Sequence, residues 1–450
     1  MSKNTTDSFC DFLKVKKEAD MYFDVAVAGG GSAGVFAAIS AARTGVSTVL
    51  LERSSMLGGT ATNGGVNFPG LFHAYGKQII SGPCWEAIER CDKLGGAKIP
   101  KIVERPENHW ELQISIDRNI YNRVLEEMCR ESGVRIMYYS TVFAASENTS
   151  ADSPDGKKGI ILAVAGINGV ETVFAKKAID ATGDANLAAI LGYERIRSDI
   201  LQPGTIEHNI AGYDPDDQRI DYEKLNSLVE KALQNGELEY NCFRGRTPEF
   251  NLRYGKIPNH IFTNDGSDSL SKTDLDLRAR ASLFSYIDFL RKNPGLENVY
   301  ASYVAAETGV RETYRIIGST FMTVDKYCSG YVYPDSVCYG FYPVDLHVAE
   351  GIDKRYDLDD GAVPTIPYGA LVPTKNGIPS ENLLVAGRCI SADTYTMSAI
   401  RVQAPCMAEG QAAGCAASIC ARKDLSVSEV CPEAVRVKLS DLGAIVPNLR

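Results

Sequence analysis

Residues 22–52 read YFDVAVAGGGSAGVFAAISAARTGVSTVLLE. An apolar run over 22–28 stops at Gly29-Gly30-Gly31, small apolar residues fill 32–44, Gly45 breaks the pattern, and 47–51 is apolar again. Short apolar runs bounded by glycine predict buried strands, and the stretch between them predicts a buried helix, so the segment is one βαβ unit. Gly29, Gly31 and Gly34 fit G-x-G-x-x-G directly after the strand. The first glycine permits a tight turn and the third lets helix and strand pack closely. The second, with Ser32 and Ala33 beside it, lets backbone N–H groups approach a pyrophosphate at the helix N-terminus. Glu52 ends the second strand 23 residues after Gly29, where a carboxylate accepts hydrogen bonds from an adenosine ribose. A glycine turn without a ligand is the competing reading, and the strand, helix and acidic residue around it argue against that. Residues 25–42 carry no charge, but the glycines interrupt them too early for a membrane span.

The whole chain has 450 residues, 47 Lys plus Arg against 57 Asp plus Glu, 44% apolar and 23% charged residues. That is a globular composition with room for two or three domains. A net charge of −10 argues against nucleic acid or an anionic membrane as partner, since both are held by basic patches. Basic runs never exceed pairs such as Lys16-Lys17 and Arg291-Lys292. The first 18 residues are polar and lack the apolar region of a secretory signal. Twelve Cys and five His show no C-x-x-C and no metal-ligand spacing, so the expectation is reduced thiols in a cytoplasmic protein without a metal site.

Pro83 begins a helix that Gly95-Gly96 closes. Asp117 caps another, with Ile120, Tyr121, Val124, Leu125 and Met128 on one face and Gly133 at its end. Apolar runs at 134–139, 141–145, 159–165 and 171–175 predict a β-meander with an exposed tip at 153–156. A strand over 177–180 leads into Ala181-Thr182-Gly183-Asp184. Residues 201–370 differ in character, with eight Tyr between Tyr300 and Tyr342 and 17 Lys plus Arg against 26 Asp plus Glu. They predict an inserted α+β substrate domain, after an extension over 1–20 and a first nucleotide-binding part over 21–200. Residues 371–450 return to the glycine-punctuated style, with a strand at 383–387 and a small-residue helix at 402–421.

Residues 52–62, ERSSMLGGTAT, resemble the E-x-x-x-x-x-G-G segment of glutathione-reductase-like flavoproteins. Residues 181–184 resemble the A-T-G motif of that class, and 384–391, LVAGRCIS, its second flavin-contacting strand. Together with TGVRET at 308–313 and GQAAG at 410–414, they resemble the bacterial FAD-dependent oxidoreductase family. That family is related in its nucleotide-binding core to the fumarate reductase/succinate dehydrogenase and thiazole-synthase flavoproteins. The resemblance covers about 23–198 and 302–421. It implies an α/β, glutathione-reductase-type FAD-binding Rossmann-like fold and non-covalent FAD. The implied cofactor contacts are Gly29, Gly31, Ser32, Ala33, Gly34, Glu52, Arg53, Gly58, Gly59, Thr60, Ala61, Thr62, Val142, Ala181, Thr182, Gly183, Asp184, Gly387, Arg388 and Val402. The helix N-terminus near Ala404-Pro405 would face the flavin N1–O2 region. There is no second G-x-G-x-x-G for NADPH, and Cys415 and Cys420, though correctly spaced for a redox pair, sit on a late helix as core thiols.

The implied activity is hydride transfer between a small organic substrate and flavin N5, with a second electron donor or acceptor unidentified. A fumarate-reductase-like ene-reductase acting on an unsaturated carbonyl or carboxylate is an alternative, as is a flavoprotein with a non-redox isomerase or binding role. His73, just past the Gly-Gly turn, is a candidate acid or base, against the reading of a structural histidine. Arg311 and Arg401 are candidate carboxylate clamps, against an ion pair of Arg311 with Glu307 or Glu312. Cys406 reads as a buried thiol rather than a redox group, and the tyrosines either line a substrate cavity or pack strands. A homo-oligomer is compatible with the sequence.

Overall fold

The computed structural model describes residues 19–106, 108–148, 158–199, 201–239, 247–262, 265–347 and 354–448. The opening segment forms β1 (Met21–Ala28), α1 (Ser32–Arg43) and β2 (Thr48–Leu51). The strands run parallel, in register from Val25 opposite Thr48 to Ala28 opposite Leu51, and all four β2 residues are buried. Pro83 stands at the first position of α2 (Pro83–Lys93). The Asp117 side chain accepts from the N–H groups of Asn119 and Ile120 at the start of α3 (Arg118–Glu131), satisfying two donors the helix cannot.

β3 (Arg135–Met137) then pairs parallel with β2, so residues 134–139 belong to the parallel sheet and not to the meander expected of them. A strand that follows a crossover helix such as α3 returns in the parallel sense. The meander consists of β4 (Thr141–Asn148), β5 (Gly159–Gly166) and β6 (Gly169–Asp180), all antiparallel; its expected tip at 153–156 lies outside the described residues. β6 is one 12-residue strand where the sequence suggested two. The charges at its middle do not break it because each is satisfied in place. Lys176 pairs with Asp24 at 2.8 Å, and the buried Lys177 donates to Asn382 Oδ1 at 2.7 Å.

The inserted segment builds its own antiparallel sheet from β7 (Gly204–Ala211), β8 (Lys256–Ile261) and β9 (Tyr300–Val304), in the order β8-β7-β9. α4 (Tyr222–Gln234), α5 (Pro248–Tyr254) and α6 (Ser269–Leu290) accompany it. Two separate apolar clusters hold this part, one around Leu225, Tyr286 and Leu290 and one around Ile206, Leu275 and Ala279. Their residues lie between 206 and 305, a narrower span than 201–370. Ile316, Tyr327, Val337, Tyr342 and Ile366 instead join the main core. Strand Tyr314–Ile316 pairs with Arg195–Arg197, which draws the chain back before residue 320. Much of the tyrosine enrichment is therefore main-core packing. The Tyr327 hydroxyl, for instance, donates to the Tyr342 carbonyl at 2.8 Å.

β10 (Leu383–Val385) completes the main sheet, running parallel to the last residues of β6. The sheet order is β3-β2-β1-β6-β5-β4, with β10 also on β6. After α7 (Thr394–Ile400), α8 (Gln403–Lys423) lies against α1 at backbone distance. A Cβ on Gly410 would come 2.0 Å from the Ala33 carbonyl oxygen, and one on Gly414 would come 2.2 Å from that of Ala37. This is a mixed α/β fold of the glutathione-reductase FAD-binding type. The ten cysteines among the described residues are unpaired, with Cys415 and Cys420 buried. Among those residues no helix is long and apolar enough to cross a membrane.

Candidate functional site

β1 and β6 end side by side, and their following turns meet. Gly29 has φ +101°, and a Cβ there would stand 2.5 Å from the Ala181 carbonyl oxygen; one on Gly34 would stand 1.8 Å from the Gly29 carbonyl oxygen. Both positions are closed to side chains by the protein itself. Gly31 differs: at φ −75° its nearest prospective neighbour is Gly59 Cα at 4.0 Å, so the space beside it belongs to the cleft. No side chain caps α1 and its first turn holds no acid, leaving an N-terminus suited to an anion. The Gly58 N–H donates to the Gly30 carbonyl at 2.8 Å, with φ +96° at Gly58 and +54° at Gly59, and this lays the Gly-Gly segment over the turn.

These pieces wall one end of a cleft of about 970 Å³ that continues into the insert. Gly29, Gly31, Ser32, Ala33, Glu52 and Arg53 line it, as do Gly59, Thr60, Val142 and Ala181 to Asp184. On the far side stand Gly387, Arg388, Arg401 and Val402. Glu52, 6% exposed, accepts from the N–H groups of Gly30 at 2.6 Å and Ser54 at 2.7 Å. One carboxylate thus pins the glycine turn to the end of β2. A dinucleotide's pyrophosphate fits here on three counts: a sterically open second glycine, an uncapped helix start and a long cleft. Gly34, Gly58, Ala61 and Thr62 do not line the cleft. They shape it from behind, with Thr62 Oγ1 donating to the Leu57 carbonyl at 2.6 Å. Asp184 faces the cleft but is held by Arg388 and by the Thr313 hydroxyl, which orients the arginine. Gly387, at φ +95°, donates its N–H to the buried Glu409 Oε2 at 2.7 Å, and burial raises the Glu409 carboxyl well above its usual range.

His73 is not in the cleft. Val66 and Phe68 line it, but Gly70 turns at φ +102° against the Val402 side chain. The chain then leaves toward α2, where the His73 ring sits edge-on to Trp85 at 5.3 Å and burial lowers its pKa. Arg311 does line the cleft, and the two carboxylates weighed as its partners are engaged by other arginines. Glu307 pairs with Arg53 and Glu312 with Arg315, while Arg311 Nη1 donates to the Pro203 carbonyl and Thr205 Oγ1, both at 2.6 Å. Arg401 Nη2 donates to Gln202 Oε1 at 3.2 Å and the Asp345 carbonyl at 3.3 Å. Its Nε is buried without a hydrogen-bond partner, and among the described residues no carboxylate lies within ion-pair distance of its guanidinium; burial lowers its pKa. The Cys406 thiol, also at the cleft, is pushed up by burial and so stays protonated.

The sequence reading missed two histidines. His260 on β8 and His347 stack at 5.8 Å and 29°, both lining the cleft, and His347 Nε2 lies 3.0 Å from Asp345 Oδ2. Asp345 and His347 are two apart at a strand, the spacing that puts both on one face. That was the signal available in residues 344–347.

No curated protein matches the sequence. Among solved structures the chain is similar to a geranylgeranyl bacteriochlorophyll reductase-like protein from Thermoplasma acidophilum, at 14% identity over 94% of this chain and 83% of that one, TM-score 0.43. It is also similar to the p-nitrophenol 4-monooxygenase PnpA of Pseudomonas putida DLL-E4, at 13% identity over 94% and 84%, TM-score 0.39. A sequence model described as FAD dependent oxidoreductase matches residues 24–439. With the glycine turn, the uncapped helix and the long cleft in place, the chain belongs to the FAD-dependent oxidoreductase family and its cofactor is FAD.

Proposed function

We propose that the protein transfers a hydride between a small organic substrate carrying an anionic group and FAD, at the boundary of the nucleotide-binding part and the insert. The observation that carries this reading is one continuous cleft joining the pyrophosphate turn at Gly31 to a polar end formed by Arg311, Arg401, His260 and His347. FAD supplies the two-electron chemistry when bound. The chain binds, orients and shields. Arg401 is half-buried at the cleft, with Asp345 and Glu312 acting on it only from beyond ion-pair distance, so an anionic substrate group, a carboxylate above all, completes it. Arg311 fixes Thr205 and the β7 end that frames the site. Val66, Phe68, Trp110 and Tyr342 supply apolar wall on the way in.

Arg401 also favours one narrower reading, an ene-reductase acting on an unsaturated carboxylate. The test is anaerobic. The purified protein should be yellow, and its flavin should bleach with a member of a panel of small carboxylic acids or, if first reduced, reoxidise with an unsaturated one. Arg401→Gln should raise KM for that compound at least tenfold, or about 1.4 kcal/mol, with the flavin spectrum unchanged. A colourless protein that takes up no FAD, or a flavin indifferent to every acid in the panel, overturns the proposal.

A further inference from the structure

We infer that the protein pairs with a second copy of itself through the outer face of α6, the two helices lying antiparallel about a two-fold axis at Leu277. α6 is 22 residues long and has two apolar sides. The inner one buries Leu275 and Ala279 in one cluster of the insert and Leu283, Tyr286, Ile287 and Leu290 in the other. The outer one presents Leu270 at 84% exposure, Leu277 at 58% and Phe284 at 48%, with Thr273 and Ala281, also exposed, between them. A single exposed leucine needs no explanation. Three large apolar side chains seven residues apart do need one, because that spacing keeps them on one line of the helix, the seam along which helices pack at about 20°. The spacing also selects the partner. Leu270 and Phe284 lie seven residues to either side of Leu277, so a two-fold axis there sets Leu277 against its own copy, Leu270 against Phe284 and Thr273 against Ala281. A two-fold contact uses one patch on both copies, which must be complementary to itself. The charges beside the seam meet that demand. At 1.5 Å per residue, Arg280 of one copy comes within about 3 Å, along the axis, of Asp276 of the other on the same edge. On the opposite edge Asp274 stands in the same relation to Arg278 of the second copy. In a parallel pair the same groups would repel, Asp274 facing Asp276 and Arg278 facing Arg280. Pairing across the axis asks none of them to be free. Asp276 is held by Lys272 at 2.7 Å and Arg278 by Glu239 at 2.8 Å, and a carboxylate or a guanidinium serves several partners. Ser269 and Lys272 of the same helix line the cleft, so the pairing also braces the wall that the insert contributes.

Sedimentation of the FAD-loaded protein tests this. A seam about 21 Å long is a small contact, so wild type should pass from monomer to dimer as its concentration rises between roughly 1 and 100 μM. Leu277→Glu, which sets two carboxylates face to face on the axis, should stay monomeric over that range with its flavin spectrum unchanged. Cysteine cross-linking then fixes the register. Under oxidising conditions Leu277→Cys should link to itself, whereas Leu270→Cys should link only when mixed with Phe284→Cys; wild type is carried alongside because Cys431 is exposed. A wild type that is monomeric throughout overturns the inference, and so does a dimer that Leu277→Glu leaves intact. Leu270→Cys linking to itself means a parallel or shifted pair and overturns it too. None of these readouts needs turnover, so they stand apart from the redox reading above.

Discussion

At the scale of single residues, the three glycines of the opening turn do different jobs, and their surroundings tell them apart. A Cβ on Gly34 would collide with backbone at 1.8 Å, whereas one on Gly31 would meet only Gly59 Cα, at 4.0 Å. Gly31→Ala is therefore expected to fold with stability within about 0.5 kcal/mol of the parent when both are flavin-free, yet to bind FAD at least roughly tenfold more weakly, a loss of about 1.4 kcal/mol. Gly34→Ala should lose about 3 kcal/mol of flavin-free stability, because α1 must move off the turn. Denaturant unfolding of the flavin-free proteins separates the two. Equal losses would mean that the space beside Gly31 is not reserved for the cofactor. His73 shows the limit of reading residues by position. Its place just past the Gly-Gly turn suggested the flavin, but one left-handed glycine, Gly70, wedged against Val402 sends it elsewhere, and only the packed α8 start explains that turn.

At the scale of elements, the first βαβ unit, the capped α3 and the small-residue α8 were legible because each announces itself locally: glycine spacing, an Asp at the cap, an uninterrupted apolar run. The pairing sense of β3 and the unity of β6 were not legible. The unity of β6 depends on Lys176 and Lys177 finding Asp24 and Asn382, the second more than 200 residues away, and the sense of β3 on its distant partner β2. The same holds for the site. Its FAD end is local sequence, whereas its substrate end joins Thr205, His260, Arg311, His347 and Arg401 from five separated segments. β7, the middle strand of the insert, adds a pH prediction. His208 on it is fully buried, and burial holds its pKa down to about 4. The unfolded chain takes up the proton near 6.5 and the folded chain does not, so the unfolded state binds more protons between those values and stability falls as pH drops from about 6.5 to about 4. Fully expressed, the difference is about 3 kcal/mol. Melting of wild type and His208→Gln should converge or cross on acidification across that window, the wild type losing more. Parallel curves would place the His208 ring in contact with water.

At the scale of the whole molecule, the decisive feature is that the chain makes two kinds of core. One surrounds α1, α8 and the parallel sheet; the others lie within residues 206–305, and the glycine turns that wall the cleft follow strands of the first. The acidity is shared otherwise than the sequence suggested. Residues 206–305 hold 12 Lys plus Arg against 16 Asp plus Glu, and the returning stretch 306–370 holds 5 against 10, so the acidity is not confined to the insert. Cofactor binding is a force on one core only. A ligand that binds only the folded state stabilises it by about 2.7 kcal/mol at a hundredfold excess over its dissociation constant, which for a unit of this size moves melting by roughly 5 °C. Calorimetry of flavin-free protein should resolve two transitions, and FAD should raise the one carrying the main core while leaving the insert's in place. The substrate end draws on both parts, with Thr205 and His260 from the insert and His347 and Arg401 from the main core. A substrate analogue added to the FAD-loaded protein should therefore raise both transitions and bring them together. A single transition that FAD moves as a whole would mean that the strands leading into and out of the insert already couple the cores, and that the cleft between them is rigid before substrate arrives.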